Sequence, residues 1–161
     1  MGIASKYIVK PFFWPTKLNR IQRLTDILSP DVGDPSIIDT LNMTKRYNLE
    51  HLFREFVPGA DIIAELGASY PKKREGASPC LTATRTGDGA YWSLLRCRPL
   101  RMQELMALQG FRESDLPSWR NHMSERQMGT LLGNAMTLTV MTRVMRSVLG
   151  SLGWKVVDDE P

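Results

Sequence analysis

Between Gly67 and Gly89 the chain is interrupted six times, by Gly67, Pro71, Gly76, Pro79, Gly87 and Gly89. A long helix does not survive such punctuation, because proline removes a backbone donor and glycine loosens the chain. The segment reads as loops around one short strand, Cys80 to Thr84, with a second strand candidate from Tyr91 to Arg96. The flanks carry helical spacing. Lys17 to Leu28 sets Leu18, Ile21, Leu24, Ile27 and Leu28 on one face, after an aromatic cluster at Phe12-Phe13-Trp14-Pro15. A second helix is expected from about Lys45 to Phe56, ended by Pro58-Gly59, and a short one from Arg101 to Leu108, stopped by Gly110. Ser124 with Gln127 three residues on makes a capping-box start for the last helical region. Gly133-Asn134 interrupts that region, and Met136, Val140, Val144, Val148 and Leu149 mark a further helix closed by Gly150 and Gly153. The expected fold class is α+β: a small loop-rich region with short strands, then C-terminal helices.

Composition narrows the function classes. The chain has 161 residues, 42% hydrophobic and 24% charged, enough to build a core. It lacks the long apolar run of a membrane span and the apolar stretch of a signal peptide, so the reading is a soluble intracellular protein: cytoplasmic if prokaryotic, nuclear if eukaryotic. Two cysteines do not make a disulfide scaffold, and two histidines, His51 and His122, argue against a dedicated metal site. Charge is uneven. Residues 1–66 balance eight basic against eight acidic residues, whereas 67–155 hold thirteen basic and six acidic. That excess fits either an ordinary solvated surface or a polyanionic partner, since clustered Lys and Arg release counterions on meeting phosphates.

Few residues suggest catalysis by themselves. Cys97 lies between Arg96 and Arg98, which favour a thiolate, but no base is placed beside it. His51 sits among Leu49, Leu52 and Phe53 on a helix face, and Gly87-Asp88-Gly89 has neither the third glycine nor the flanking elements of a phosphate loop.

Two stretches carry a resemblance. The first is Arg98-Pro99-Leu100-Arg101-Met102-Gln103-Glu104-Leu105-Met106-Ala107-Leu108-Gln109-Gly110-Phe111; the second runs from Gln127 to Leu132 and on through Gly133-Asn134-Ala135-Met136. In this order and at this distance they resemble the last two conserved blocks of the DNA (cytosine-5)-methyltransferases. Ser78-Pro79-Cys80-Leu81-Thr82-Ala83-Thr84, then Gly87-Asp88-Gly89, is similar to the stretch that precedes those blocks, and Leu24 to Leu28 to the entry of the family's target-recognition region. Arg101 stands where the family has Thr, Ala107 where it has Arg, and Met136 where it has Val. The family's Phe-x-Gly-x-Gly, Pro-Cys-Gln and Glu-Asn-Val motifs do not occur in this sequence. Cys80 follows the recognition region and is not succeeded by Gln, so the nucleophile is not assigned to it.

The resemblance implies a target-recognition-like region at 1–97, C-terminal blocks at 98–150 and a tail at 151–161. In the family, such C-terminal helices pack on an α/β methyltransferase domain that uses S-adenosylmethionine. The implied partners are double-stranded DNA and a second subunit carrying the missing catalytic blocks, with no membrane and no metal. The turn Gly133, Asn134, Ala135 and Met136 would form part of the cofactor site, with Asn134 capping the helix that follows. Lys72, Lys73, Arg74 and Arg85 would contact DNA. Arg98 would organise the recognition region, with Glu104 as its candidate partner. No catalytic residue is assigned, and the chain alone is expected to transfer no methyl group. Three readings stay open: a subunit of a split enzyme, a piece of a longer protein, or a non-catalytic DNA-binding or interaction module derived from one.

Overall fold

The computed structural model describes residues 23–86 and 88–154. The aromatic cluster at 12–15, the first part of the helix expected over 17–28, and the end of the tail lie outside the described residues. The chain divides into two compact units with a boundary between Ala135 and Met136. The described part of the larger unit runs from Arg23 to Ala135, and that of the other from Met136 to Trp154.

The larger unit is a small α+β structure around a four-stranded antiparallel sheet. In chain order its elements are α1 (Leu24–Ile27), a 3-10 turn (Pro35–Thr40), α2 (Met43–Arg54), β1 (Ile62–Glu65), β2 (Lys72–Glu75), α3 (Ala83–Thr86), β3 (Tyr91–Ser93), β4 (Arg98–Pro99), α4 (Met102–Leu108) and α5 (Glu125–Asn134). The strand order is β2-β1-β3-β4, with Ala64 opposite Lys73 on one side and Trp92 on the other. The sheet takes in Arg98–Pro99, so this compact unit runs continuously across position 97.

Side chains of a strand alternate between faces, and here both faces are covered. Ile63 and Tyr91 enter a core with Leu24, Leu28, Leu105, Met106, Met128 and Leu132, from α1, the chain just beyond it, α4 and α5. Ala64 and Trp92 point the other way, into a core with Leu49 and Leu52 of α2. Asn42 caps α2 by accepting from the Lys45 N–H at 3.0 Å. Asn48 lies buried among these apolar groups because its amide donates to the Leu66 and Ala68 carbonyls at 2.9 and 2.8 Å.

Three expectations need correction. The strand expected over Cys80–Thr84 is absent: 80–82 lies outside the sheet, and Ala83–Thr86 forms the single helical turn α3. The backbone polar groups find other partners. The Tyr91 hydroxyl donates to the Cys80 carbonyl at 2.8 Å and accepts from the Thr82 N–H at 3.0 Å, while the Thr82 carbonyl accepts from Arg85 and Thr86. Lys72 to Glu75, expected in a loop, is the edge strand β2, exposed at every position. The interruption expected at Gly133-Asn134 falls later: α5 continues through Asn134, and Ala135 is extended.

Of the second unit, the described element is α6 (Leu138–Ser151), with Thr137 at its N-cap and Leu152 at its C-cap. Leu138, Val140 and Met145 on this helix are exposed. No described helix is long and apolar enough to cross a membrane.

Candidate functional site

Arg98 leaves β4 and meets Glu104, the third residue of α4. The two make a bidentate pair, Nη1 to Oε2 at 2.9 Å and Nη2 to Oε1 at 2.7 Å, and both side chains are about 5% exposed or less. A planar guanidinium matches a carboxylate fork in this way, which a lysine cannot do. Glu104 is further held by the N–H groups of Ser29 and Arg101, each at 2.8 Å. Arg98 also donates to the Ser29 and Asp31 carbonyls. Burial opposes the charge on Glu104, but the hydrogen bonds from Arg98, Arg101 and Ser29 outweigh it and hold the carboxyl below its ordinary value. The same bonding to Glu104 raises the affinity of Arg98 for its proton. Together these contacts clamp 29–31 onto 98–104. Arg101 and Asp31 add an outer pair. Gly33 continues the clamp: a Cβ there would lie within 3.0 Å of the Arg98 side chain and the Cys97 carbonyl.

Gly133 is a second position where only glycine fits. Within α5, a Cβ at this residue would lie less than 3.0 Å from backbone atoms of Thr82 and Ala83. The close approach that the glycine permits is therefore taken up by α3 of the same unit. Next to it, Gln109 donates from its side-chain amide to the Leu132 carbonyl at 3.0 Å. This residue stands inside the first of the two resembling stretches, where Gln109-Gly110-Phe111 is expected to end the short helix; its bond to Leu132 is what the sequence does not reveal.

The expected cofactor turn spans the boundary between the two units. Gly133 packs on α3, Asn134 is exposed at the end of α5, and Met136 lies past the unit boundary. Asn134 does not cap the next helix, whose N-cap is Thr137. The N–H groups that favour an anion thus belong to the start of α6, whereas Asn134 stands at the carbonyl end of α5. Ala135 lines an apolar groove of about 470 Å³ with Phe111, Trp119, Met123, Met128 and Leu131. Gly133 is committed to packing within its own unit.

The four expected DNA contacts separate as well. Lys73 pairs with Glu55 at 2.5 Å, and the bond from Lys73 holds that carboxyl below its ordinary value. Arg85 pairs at 2.9 Å with Glu65, which is itself buried in the sheet. Lys72 and Arg74 are exposed on β2 and joined to no carboxylate among the described residues. Since Lys73 lies opposite Ala64 and reaches toward the end of α2, Lys72 and Arg74 project from the other face of the sheet.

Neither cysteine meets a base. Cys80 is exposed, its thiol within 3.6 Å of the Leu81 carbonyl, and Cys97 is half-buried with a φ of 51° in the turn before β4. Among the described residues no group of three or more His, Cys, Asp and Glu side chains is placed to hold a metal ion. No family model, curated protein or solved structure matches the chain.

Proposed function

We propose that the chain is the C-terminal portion of a DNA (cytosine-5)-methyltransferase, supplying target recognition and part of the S-adenosylmethionine site. One observation supports this reading above the rest: the three stretches that carry the resemblance close on one another. The residues around Thr82 receive Gly133, and the Gln109 amide reaches Leu132. Residues far apart in the chain thus form one packed assembly, as parts of a shared site do.

Transfer to cytosine C5 requires a thiolate at C6, a proton donor near N3, and access to a base that has left the helix stack. The sequence carries none of the motifs that supply the first two, and neither Cys80 nor Cys97 is set beside a base. The reactive half comes from another polypeptide or another part of the protein. What this chain contributes is a cationic recognition surface, with Asn134 and Ala135 toward the cofactor.

The test is transfer of label from S-adenosylmethionine to a cytosine-containing duplex. The chain alone is expected to give none, and addition of a polypeptide bearing Pro-Cys-Gln and Glu-Asn-Val is expected to give label at C5. Label from the purified chain alone would show that the site is complete. Salt-dependent DNA binding with no transfer under any partner would leave a binding module instead.

A further inference from the structure

Tyr70 stands two residues before the start of β2 and is 84% exposed, among the most exposed large side chains described. An aromatic ring left almost wholly in water contributes nothing to a core. Beside it in sequence, Lys72 and Arg74 extend from a strand whose outer side has no neighbour in the sheet. At two residues' separation on a strand the two side chains leave the backbone about 6.7 Å apart and share a face. The other cations of the segment, Lys73 and Arg85, are occupied by Glu55 and Glu65. A ring with two unpaired cations matches a nucleic-acid strand: phosphates neutralise the charges, and the ring offers a surface to a base that has lost its own stacking partner. An acidic protein segment would engage the cations and have no use for the ring.

We propose that Tyr70, Lys72 and Arg74 form a contact for a single nucleic-acid strand, with the cations on phosphates and Tyr70 stacked on an unpaired base. It rests on the nucleic-acid part of the function proposed above and adds to it the strand state and the aromatic contact.

Fluorescence anisotropy of the full chain tests it, with labelled oligothymidylate about 16 nucleotides long and a duplex of equal length as probes. Tyr70→Ala is expected to weaken single-strand binding on the order of 5- to 100-fold while leaving duplex binding unchanged. Lys72→Gln and Arg74→Gln are expected to weaken both, each reducing the single-strand salt slope by about 0.7. Arg112→Gln, the same loss of charge at an exposed arginine outside this segment, serves as a control that moves neither. If the unsubstituted chain binds and these variants match it, the contact is overturned while the wider reading stands. If the unsubstituted chain binds neither probe, the contact and the nucleic-acid part of that reading fall together. Binding of polyglutamate alone, lost in Lys72→Gln and kept in Tyr70→Ala, overturns the contact in favour of an acidic protein. All these residues are exposed, so loss of folding does not confuse the outcome.

Discussion

Arg98 and Arg74 are the same residue type in opposite circumstances. Arg98 is buried, and Glu104 and three backbone carbonyls surround its guanidinium. Arg74 stands on an open edge strand opposite Ile63, joined to no carboxylate among the described residues. A buried charge is tolerated only when fully paired, so Arg98 is bound to the fold and free for little else. An exposed charge costs the fold almost nothing to keep and remains available to a partner. Burial and pairing, more than residue type, divide the basic excess of this chain into charges bound up in the fold and charges left in solvent.

The sharpest way to break that contrast is to strip one member from the buried pair. Glu104→Ala is expected to destabilise the chain by about 3–5 kcal/mol, because it leaves a guanidinium buried without its counter-charge; urea unfolding measures it. Arg98→Met combined with Glu104→Leu should recover most of that loss, and a double substitution no better than the single one would contradict the pairing argument. Gly133→Ala comes next, at about 1–3 kcal/mol, since the added Cβ must push α5 from Thr82 and Ala83. Thermal unfolding with an unchanged midpoint would mean that this contact is looser than described.

Acid separates the two environments in another way. The folded value of Glu104 lies below its unfolded value of about 4.3, so its contribution is fully present above that pH. It is lost as pH falls through the folded value. A urea series from pH 7 to pH 3 should therefore show the unfolding midpoint falling below about pH 4.3, and Glu104→Gln should flatten that part of the profile. The smallest effect belongs to the edge: Arg74→Gln is expected to leave the urea midpoint unchanged, as exposed charges commonly do.

The longer helices were legible because their signals are local, whereas the single turn α3 was expected as a strand. Ser124 and Gln127 form the reciprocal cap that their spacing announces, with the Ser124 N–H donating to the Gln127 side chain at 2.8 Å. Leu49 and Leu52 face a core as periodicity requires. The sheet was not legible, for two reasons. Ile62 to Leu66 is covered on both faces and shows no alternation of polar and apolar residues, whereas Lys72 to Glu75 is exposed throughout and resembles a loop. Nor does the sequence reveal that the Tyr91 hydroxyl serves the backbone of 80–82 in place of a neighbouring strand. At the candidate site, Glu104 was a candidate partner for Arg98 from its place six residues on, but a surface pair with Arg101 fitted the spacing as well, and the burial of Arg98 with Glu104 decides between them. The role of Gly133 was not, because a glycine kept for a ligand and one kept for a neighbouring helix look alike until the neighbour is known.

The open side of β2 bears on how copies of this chain behave when crowded together. An unprotected edge invites another chain to extend the sheet, the first step toward fibres. Lys72, Lys73 and Arg74 against the single Glu75 leave this strand with net positive charge, so two copies brought edge to edge repel each other. The charges that keep this edge in solvent thus also guard the protein against its own aggregation.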